Sequence, residues 1–257
     1  MSQSNHASSD TPDNYFLESG DNYQARRPTY PTALMDTLVK YCTHTSHALD
    51  VGCGTGQLSV LLANYFDHVT ATDPSQAQIS NAVKYGSIDY KCEPAEQISC
   101  SNQSVDLVTV AQAAHWFNLD EFYGEVTRVI RPGGVIALIT YGVPNIAGPM
   151  EALFNQFYWQ DIHQFWPPAR AHVEQGYKSL AFPFHELATD IPDIELWWNY
   201  EEFTGYIDTW SAASEARRLN SENILTNFKS ELLKMWGSHD TRYKVSWPVE
   251  TRVGKLM

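Results

Sequence analysis

The amino-acid sequence predicts a doubly wound α/β fold: an open sheet of about seven mostly parallel strands with an antiparallel last strand, plus a helical, aromatic-rich lid. Three observations carry this. Short apolar runs alternate with helix-spaced amphipathic segments between residues 31 and 141. The first run ends in a glycine-rich loop, Gly52-Cys53-Gly54-Thr55-Gly56, as strands hand over to helices in open α/β sheets. After Pro144 the alternation stops, and seven of the eight tryptophans lie beyond that point, which marks a layer of different construction.

Residues 1–14 are rich in Ser, Asn and Asp with no apolar period, and they are expected to form a mobile tail ahead of a single domain over 15–257. Tyr23–Pro31 reads as an ordered, irregular segment. Pro31 suits the first turn of a helix to about Tyr41, with Leu34, Leu38 and Tyr41 on one face. Ala48–Val51 is a short buried strand, and Leu58–Phe66 a helix presenting Leu58, Leu61, Leu62 and Tyr65 to the sheet. Val69–Thr72 is a second strand, Ser75–Tyr85 a helix, and Ile88–Cys92 a third strand. Val105–Ala111 is apolar almost throughout, as a strand covered on both faces should be. Leu119–Ile130 is helical, Arg131-Pro132-Gly133-Gly134 turns the chain, and Val135–Tyr141 is a fifth strand. Beyond this, 150–185 reads as helical or irregular, Ile194–Trp198 as a sixth strand, and Glu201–Leu219 and Ser221–Trp236 as helices. Val245–Lys255 closes the sheet, with Pro248 marking a bend or an edge. Residues 144–190 and 200–240 together supply the lid.

The formal net charge is −13, with only 17 Lys and Arg and no strong basic patch. Nucleic acid and anionic membranes are disfavoured partners for such a chain. The four cysteines form no C-x-x-C pair and have no His at zinc-ligand spacing, so free thiols in a reducing cytoplasm, and no metal, are expected. The polar N-terminus lacks the apolar stretch of a secretory signal, and the longest apolar run, Val135–Ile139, is too short for a bilayer.

Leu-Asp-Val-Gly-Cys-Gly-Thr-Gly-Gln-Leu at Leu49–Leu58 is the most informative stretch. A dinucleotide fingerprint requires G-x-G-x-x-G, but here the glycines are Gly52, Gly54 and Gly56, and Gln57 stands where the last would be. A phosphate-binding P-loop would end in Gly-Lys-Ser/Thr, which is absent. Asp50 at the strand end suits an amino group better than a pyrophosphate. Asp73, followed by Pro74, stands at the end of the second strand, where a carboxylate accepts hydrogen bonds from both ribose hydroxyls. Capping the next helix is the other role open to Asp73.

With these stretches in order, together with TATDPS, EPAEQIS, DLVTVAQAAHWF and VTRVIRPGGVIAL, the chain resembles the class I methyltransferase family over roughly Tyr23 to Tyr141. The resemblance implies a Rossmann-like fold and S-adenosyl-L-methionine as cofactor. It places the methionine part of that cofactor along Gly52–Gly56, the ribose on Asp73, and the adenine between Ala95 and Glu96. Ala111, Gln112 and Ala113 would floor the sulfonium. Pro94 stands where members often carry an acidic residue. A narrower likeness, to the subgroup containing trans-aconitate methyltransferases, rests on Tyr23-Gln24-Ala25-Arg26-Arg27-Pro28-Thr29-Tyr30-Pro31 and on His115-Trp116-Phe117. It gives Arg27 the cofactor carboxylate, against a surface ion pair as the plainer role. It leaves Tyr23 to close over the cofactor or to pack the first helix.

Methyl transfer is an in-line displacement for which the protein supplies alignment, exclusion of water and sometimes a base. His115 is the best-placed base, although shaping the pocket is the commoner role for such a residue. Trp116 and Tyr141 are expected to wall the acceptor pocket, with Trp159, Trp166 and Trp210 as further candidates from the lid. Arg217 and Arg218 are available for an acidic acceptor, though a solvated helix face suits them as well. The expected acceptor is a small molecule, with O-methylation of a carboxylic acid ahead of carbon methylation of a quinone-like ring. A cofactor-binding protein without turnover and a dehydrogenase are the rivals. The chain is expected to act as a monomer or homodimer.

Overall fold

The computed structural model describes residues 27–256; the 1–14 tail and Tyr23 lie outside the described residues. The first half alternates as expected: α1 (Thr32–Tyr41), β1 (His47–Val51), α2 (Gln57–Leu62), β2 (His68–Asp73), α3 (Gln76–Ser80), β3 (Ile88–Cys92), β4 (Val105–Ala111), α4 (Leu119–Val129) and β5 (Ile130–Tyr141). These strands pair in parallel in the order β3-β2-β1-β4-β5, so the chain winds first one way and then the other from β1. The expected turn at Arg131–Gly134 is an irregularity within β5. Val105 pairs with Ile130 and Leu107 with Val135, so the residues between bulge out of the ladder.

Side chains of successive strand residues face opposite sides, which divides the core in two. On one face, Leu107, Val135, Ala137 and Ile139 pack with Leu34, Leu38, Leu58 and Leu62 from α1 and α2. On the other, Val108, Val110, Ile136 and Leu138 meet Phe122, Val126 and Val129 of α4. Each such side chain, fully buried, contributes about 1.5–3 kcal/mol. That double coverage explains why β4 and β5 read as continuous apolar runs.

Beyond β5 come β6 (Asn145–Ile146), α5 (Glu151–Gln156), α6 (Arg170–Glu174), β7 (His185–Leu187), β8 (Ile194–Trp198), α7 (Tyr200–Asp208), α8 (Ser211–Arg218), α9 (Asn223–Trp236), β9 (Tyr243–Trp247) and β10 (Val249–Lys255). β10 runs antiparallel to β5, and β7 pairs antiparallel with β10 to complete a seven-stranded sheet. The strand expected at 194–198 exists but belongs elsewhere. It forms a separate three-stranded sheet in the order β6-β9-β8. The single closing strand expected over 245–255 is divided at Pro248, with β9 in the small sheet and β10 in the large one. Proline has no N–H to give to a ladder, so the segment changes sheets there.

The helix expected over 201–219 is likewise broken, because Trp210 takes an extended conformation (φ −74°, ψ 140°) and caps α8. α7 begins with a complete capping box, Asn199 and Glu202 each bonding the other's backbone N–H. A single π-helical segment, Phe157–Ile162, extends α5. Between these elements lies a second, aromatic core. Phe157 stacks on Phe228 at 3.8 Å, while Trp236 and Trp247 donate their indole N–H to Thr241 O and Tyr206 Oη. Most of the late tryptophans serve this core; Trp159 and Trp197 are exposed. Among the described residues, no helix is long and apolar enough to cross a membrane.

Phe157→Ala is expected to lower unfolding free energy by about 3–5 kcal/mol in urea titrations. Trp197→Ala, on the 63% exposed ring, should stay within about 0.5 kcal/mol of the parent.

Candidate functional site

At the C-terminal ends of β1, β2 and β4 the backbone opens into a cleft of about 290 Å³. The glycine loop forms its wall. Gly52 N and Cys53 N both donate to Thr72 O, at 2.8 and 2.9 Å, which fastens the loop to β2. All three glycines have positive φ, at 69°, 55° and 87°. At Gly52 and Gly56 the lack of a side chain also answers crowding. A Cβ would stand 2.5 Å from Ala113 Cβ in the first case and 2.1 Å from Tyr90 Oη in the second. At Gly54 only Gln78 Oε1 lies within reach, at 3.9 Å, so that backbone is bare toward the cleft.

Two carboxylates organise the loop. Asp73 Oδ2 accepts from Gly54 N and Oδ1 from Ser75 N, both at 2.9 Å, and Asp73 lines the cleft with Pro74. The cap of α3 is Ser75, whose hydroxyl accepts from Gln78 N. Asp73 is therefore not the helix cap, and its oxygens keep further lone pairs for a ligand. Burial raises its carboxyl above the ordinary value. Asp50 is fully buried against the cleft, and both its oxygens are engaged internally, by Ser59 Oγ at 2.6 Å and Thr109 Oγ1 at 2.9 Å. Burial pushes its pKa up to about 6.

The expected cofactor residues from Arg27 to Ala113 line this cleft with one exception, Gly56, which is turned against the Tyr90 side chain and does not face it. Some carry second duties. Glu96 Oε1 accepts from Asn118 N at the start of α4, at 2.8 Å. Gln112 sits at φ 58°, a left-handed conformation uncommon for a side-chain-bearing residue. Its amide holds it there, donating to Tyr141 O and accepting from Thr140 Oγ1, at 3.1 and 3.0 Å. Cys53, Gln78 and Phe117 also line the cleft and escaped the sequence reading. Phe117 stood inside the quoted triplet, and Gln78 lies in the first turn after Asp73; both signals were available.

A second chamber, about 330 Å³, adjoins the first, and Arg27, Gln112, Trp116 and Tyr141 line both. Its far walls bring Trp166, Trp210 and Tyr206 from the aromatic layer. Trp159 does not line it, because that ring faces out over another depression. His115, on a single 3₁₀ turn (Ala114–Trp116), lines this chamber only. Its Nδ1 lies 3.0 Å from Tyr177 Oη, and Tyr177 is itself fully buried at φ 61°. Burial first, then the Arg170 and His172 charges, lower the His115 pKa to about 3. So weak a base takes up little of a proton at neutral pH, which favours the pocket-shaping role. Three arginines, Arg27, Arg170 and Arg217, and one carboxylate, Asp208, line the chamber, and Arg217 pairs directly with Asp208. Arg218 is not part of it and pairs with Glu215.

A methyltransferase-domain family model matches residues 49–138. A Dictyostelium discoideum protein named as a methyltransferase is 33% identical over 244 residues, covering 92% of this chain and 93% of that one. A Saccharomyces cerevisiae protein named as an S-adenosylmethionine-dependent methyltransferase is 35% identical over 146 residues, 53% of this chain and 50% of its own. The solved structure of an Anaeromyxobacter dehalogenans protein named as a type II methyltransferase superposes with a TM-score of 0.84 at 40% identity, covering 89% of this chain and 97% of that one.

Asp50 binds its proton more tightly folded, at about 6, than at the ordinary value of 3.8. Between those values the native state holds more protons than the unfolded one, so stability falls as pH rises through that window, by about 3 kcal/mol. In Asp50→Asn this part of the pH–stability curve should flatten, as read by urea unfolding at pH 4 and pH 6.5. An unchanged slope would count against a proton-binding Asp50.

Proposed function

This chain belongs to the class I S-adenosylmethionine-dependent methyltransferases, and from that premise we propose that it methylates a carboxylate oxygen of a small acidic molecule. The observation that carries the acceptor class is the chamber wall, which holds three arginines and a neutral His115 but one carboxylate. Such a wall favours an anion over a neutral or cationic acceptor. The narrower likeness carried by Arg27-Pro28 and His115-Trp116-Phe117 leans the same way.

The cleft fits S-adenosylmethionine by its own chemistry. The bare backbone at Gly54 leaves room where a Cβ would intrude, and Asp73 offers spare acceptor positions fixed by two N–H donors. Ala95 and Glu96 take the adenine end, and Arg27, a cation lining the same cleft, takes the terminal carboxylate. Bound there, the cofactor supplies an electrophilic methyl carbon on a cationic sulfur. Gln112 and Tyr141, shared by both cavities, set the passage through which acceptor and methyl carbon meet. Trp116 and the aromatic layer exclude water from that passage, serving as the lid.

A carboxylate is already nucleophilic at neutral pH and needs no base. That agrees with a His115 too weakly basic to serve as one. Carbon methylation of a quinone-like ring, which does need a base, fits this chamber less well.

Isothermal titration should give saturable binding of S-adenosylmethionine and of S-adenosylhomocysteine. Asp73→Ala should weaken both by about 100-fold or more while leaving the far-UV spectrum unchanged. With methyl-labelled cofactor and a panel of carboxylic acids, the label should appear in a product that releases labelled methanol in base. A base-stable label would sink O-methylation of an acid. Binding without any product across the panel would favour a protein that holds the cofactor without turnover.

A further inference from the structure

The chamber arginines are not equivalent, and we infer that Arg170 holds the anionic group of the acceptor and so selects its charge class. This rests on the acidic-acceptor reading above. Arg217 is already matched. It pairs with Asp208, which also takes Lys229 Nζ at 2.7 Å, and Glu222 lies 3.9 Å from its Nε. Arg27 reaches across to Thr209 O at 3.2 Å and belongs equally to the cofactor cleft.

Arg170 is held differently. Its guanidinium lies over the Trp166 ring, 4.4 Å from the centroid, and its Nε donates to Tyr158 Oη at 3.1 Å. The nearest carboxylate, Glu174, is 3.8 Å away, and the oxygen facing Arg170 already accepts from the Tyr158 hydroxyl at 2.7 Å. His163 stands 3.4 Å from the other oxygen. The two terminal nitrogens of Arg170 make no hydrogen bond among the described residues, and the side chain is only 17% exposed.

A guanidinium clamped on one face and one edge, with its terminal fork unmatched, is pre-organised for a carboxylate. The planar fork offers two parallel N–H donors, and the stacking removes the rotamer entropy that a free side chain would lose on binding. A partly buried charge with unused donors is also costly in the free protein, a cost that an incoming anion relieves. The aromatic walls from Trp166, Trp210 and Tyr206 suit the hydrocarbon body of the same acid.

The test uses the full chain saturated with S-adenosylhomocysteine, titrated calorimetrically with benzoate and with its neutral isostere benzamide. Arg170→Met should weaken benzoate at least about 30-fold while benzamide is unaffected. Arg170→Lys should recover only part of the loss, because an ammonium keeps the charge without the fork. Arg217→Met should cost clearly less than Arg170→Met, because Asp208 and Glu222 already offset the Arg217 charge. Unchanged S-adenosylhomocysteine affinity and unfolding midpoint in the Arg170 variants exclude a general folding defect. Equal loss in Arg217→Met, parent-like benzoate binding in Arg170→Met, or no preference of the parent for benzoate over benzamide would each overturn the assignment. Absence of S-adenosylhomocysteine binding in the parent would instead overturn the cofactor reading on which it rests.

Discussion

Asp50 sits in the dark at the end of β1, and the two hydroxyls that reach it come from different directions. Ser59 arrives from α2 and Thr109 from β4. A carboxylate so deeply buried persists only while hydrogen-bonded, so it fixes the separation of the three elements that meet there. The glycine loop is strung between those fixed points. Its first three N–H groups reach Thr72 O and the Asp73 carboxylate, and Gly56 N turns back to Cys53 O. The shape of the cleft follows, including the bare backbone at Gly54 and the rotamer of Asp73. Local strain at Gln112 belongs to the same frame, because Tyr141 O and Thr140 hold its amide from the neighbouring strand.

The half of the molecule around this cleft was legible because its physics is local. Parallel strands covered on both sides must be apolar at every position, and glycines must stand where φ is positive or a neighbour crowds. Such requirements leave marks at fixed spacing. Boundaries slipped where a tertiary contact overrode propensity. Helix 201–219 stops early because the Trp210 ring goes into the aromatic core, against Tyr206, Phe154 and Trp166. β7 went unseen because its three residues are at most half-buried and have no period to read.

The second chamber was illegible for the opposite reason. Arg170 acquires its character from Trp166, Tyr158 and Glu174, none of which gives a recognisable motif with it. Arg217 and Arg218 drew notice as a pair, but helix geometry sends one to the chamber and the other to a surface ion pair with Glu215. The weak basicity of His115 likewise depends on burial and on cations that approach from α6, a helix 55 or more positions away in sequence. Charge and burial that come from remote segments cannot be read from a linear pattern.

The division of the last strands at Pro248 has a mechanical meaning. Residues 243–247 are bonded into the small sheet and 249–255 into the large one, while Pro248 O accepts from Gly142 N at 2.9 Å just past β5. One uninterrupted peptide thus acts as a strut with no slack between the two layers. A rigid swing of the aromatic layer would shear ladder bonds on both sides of that joint at once. Such a swing of the whole layer therefore costs more than a rearrangement confined to one sheet.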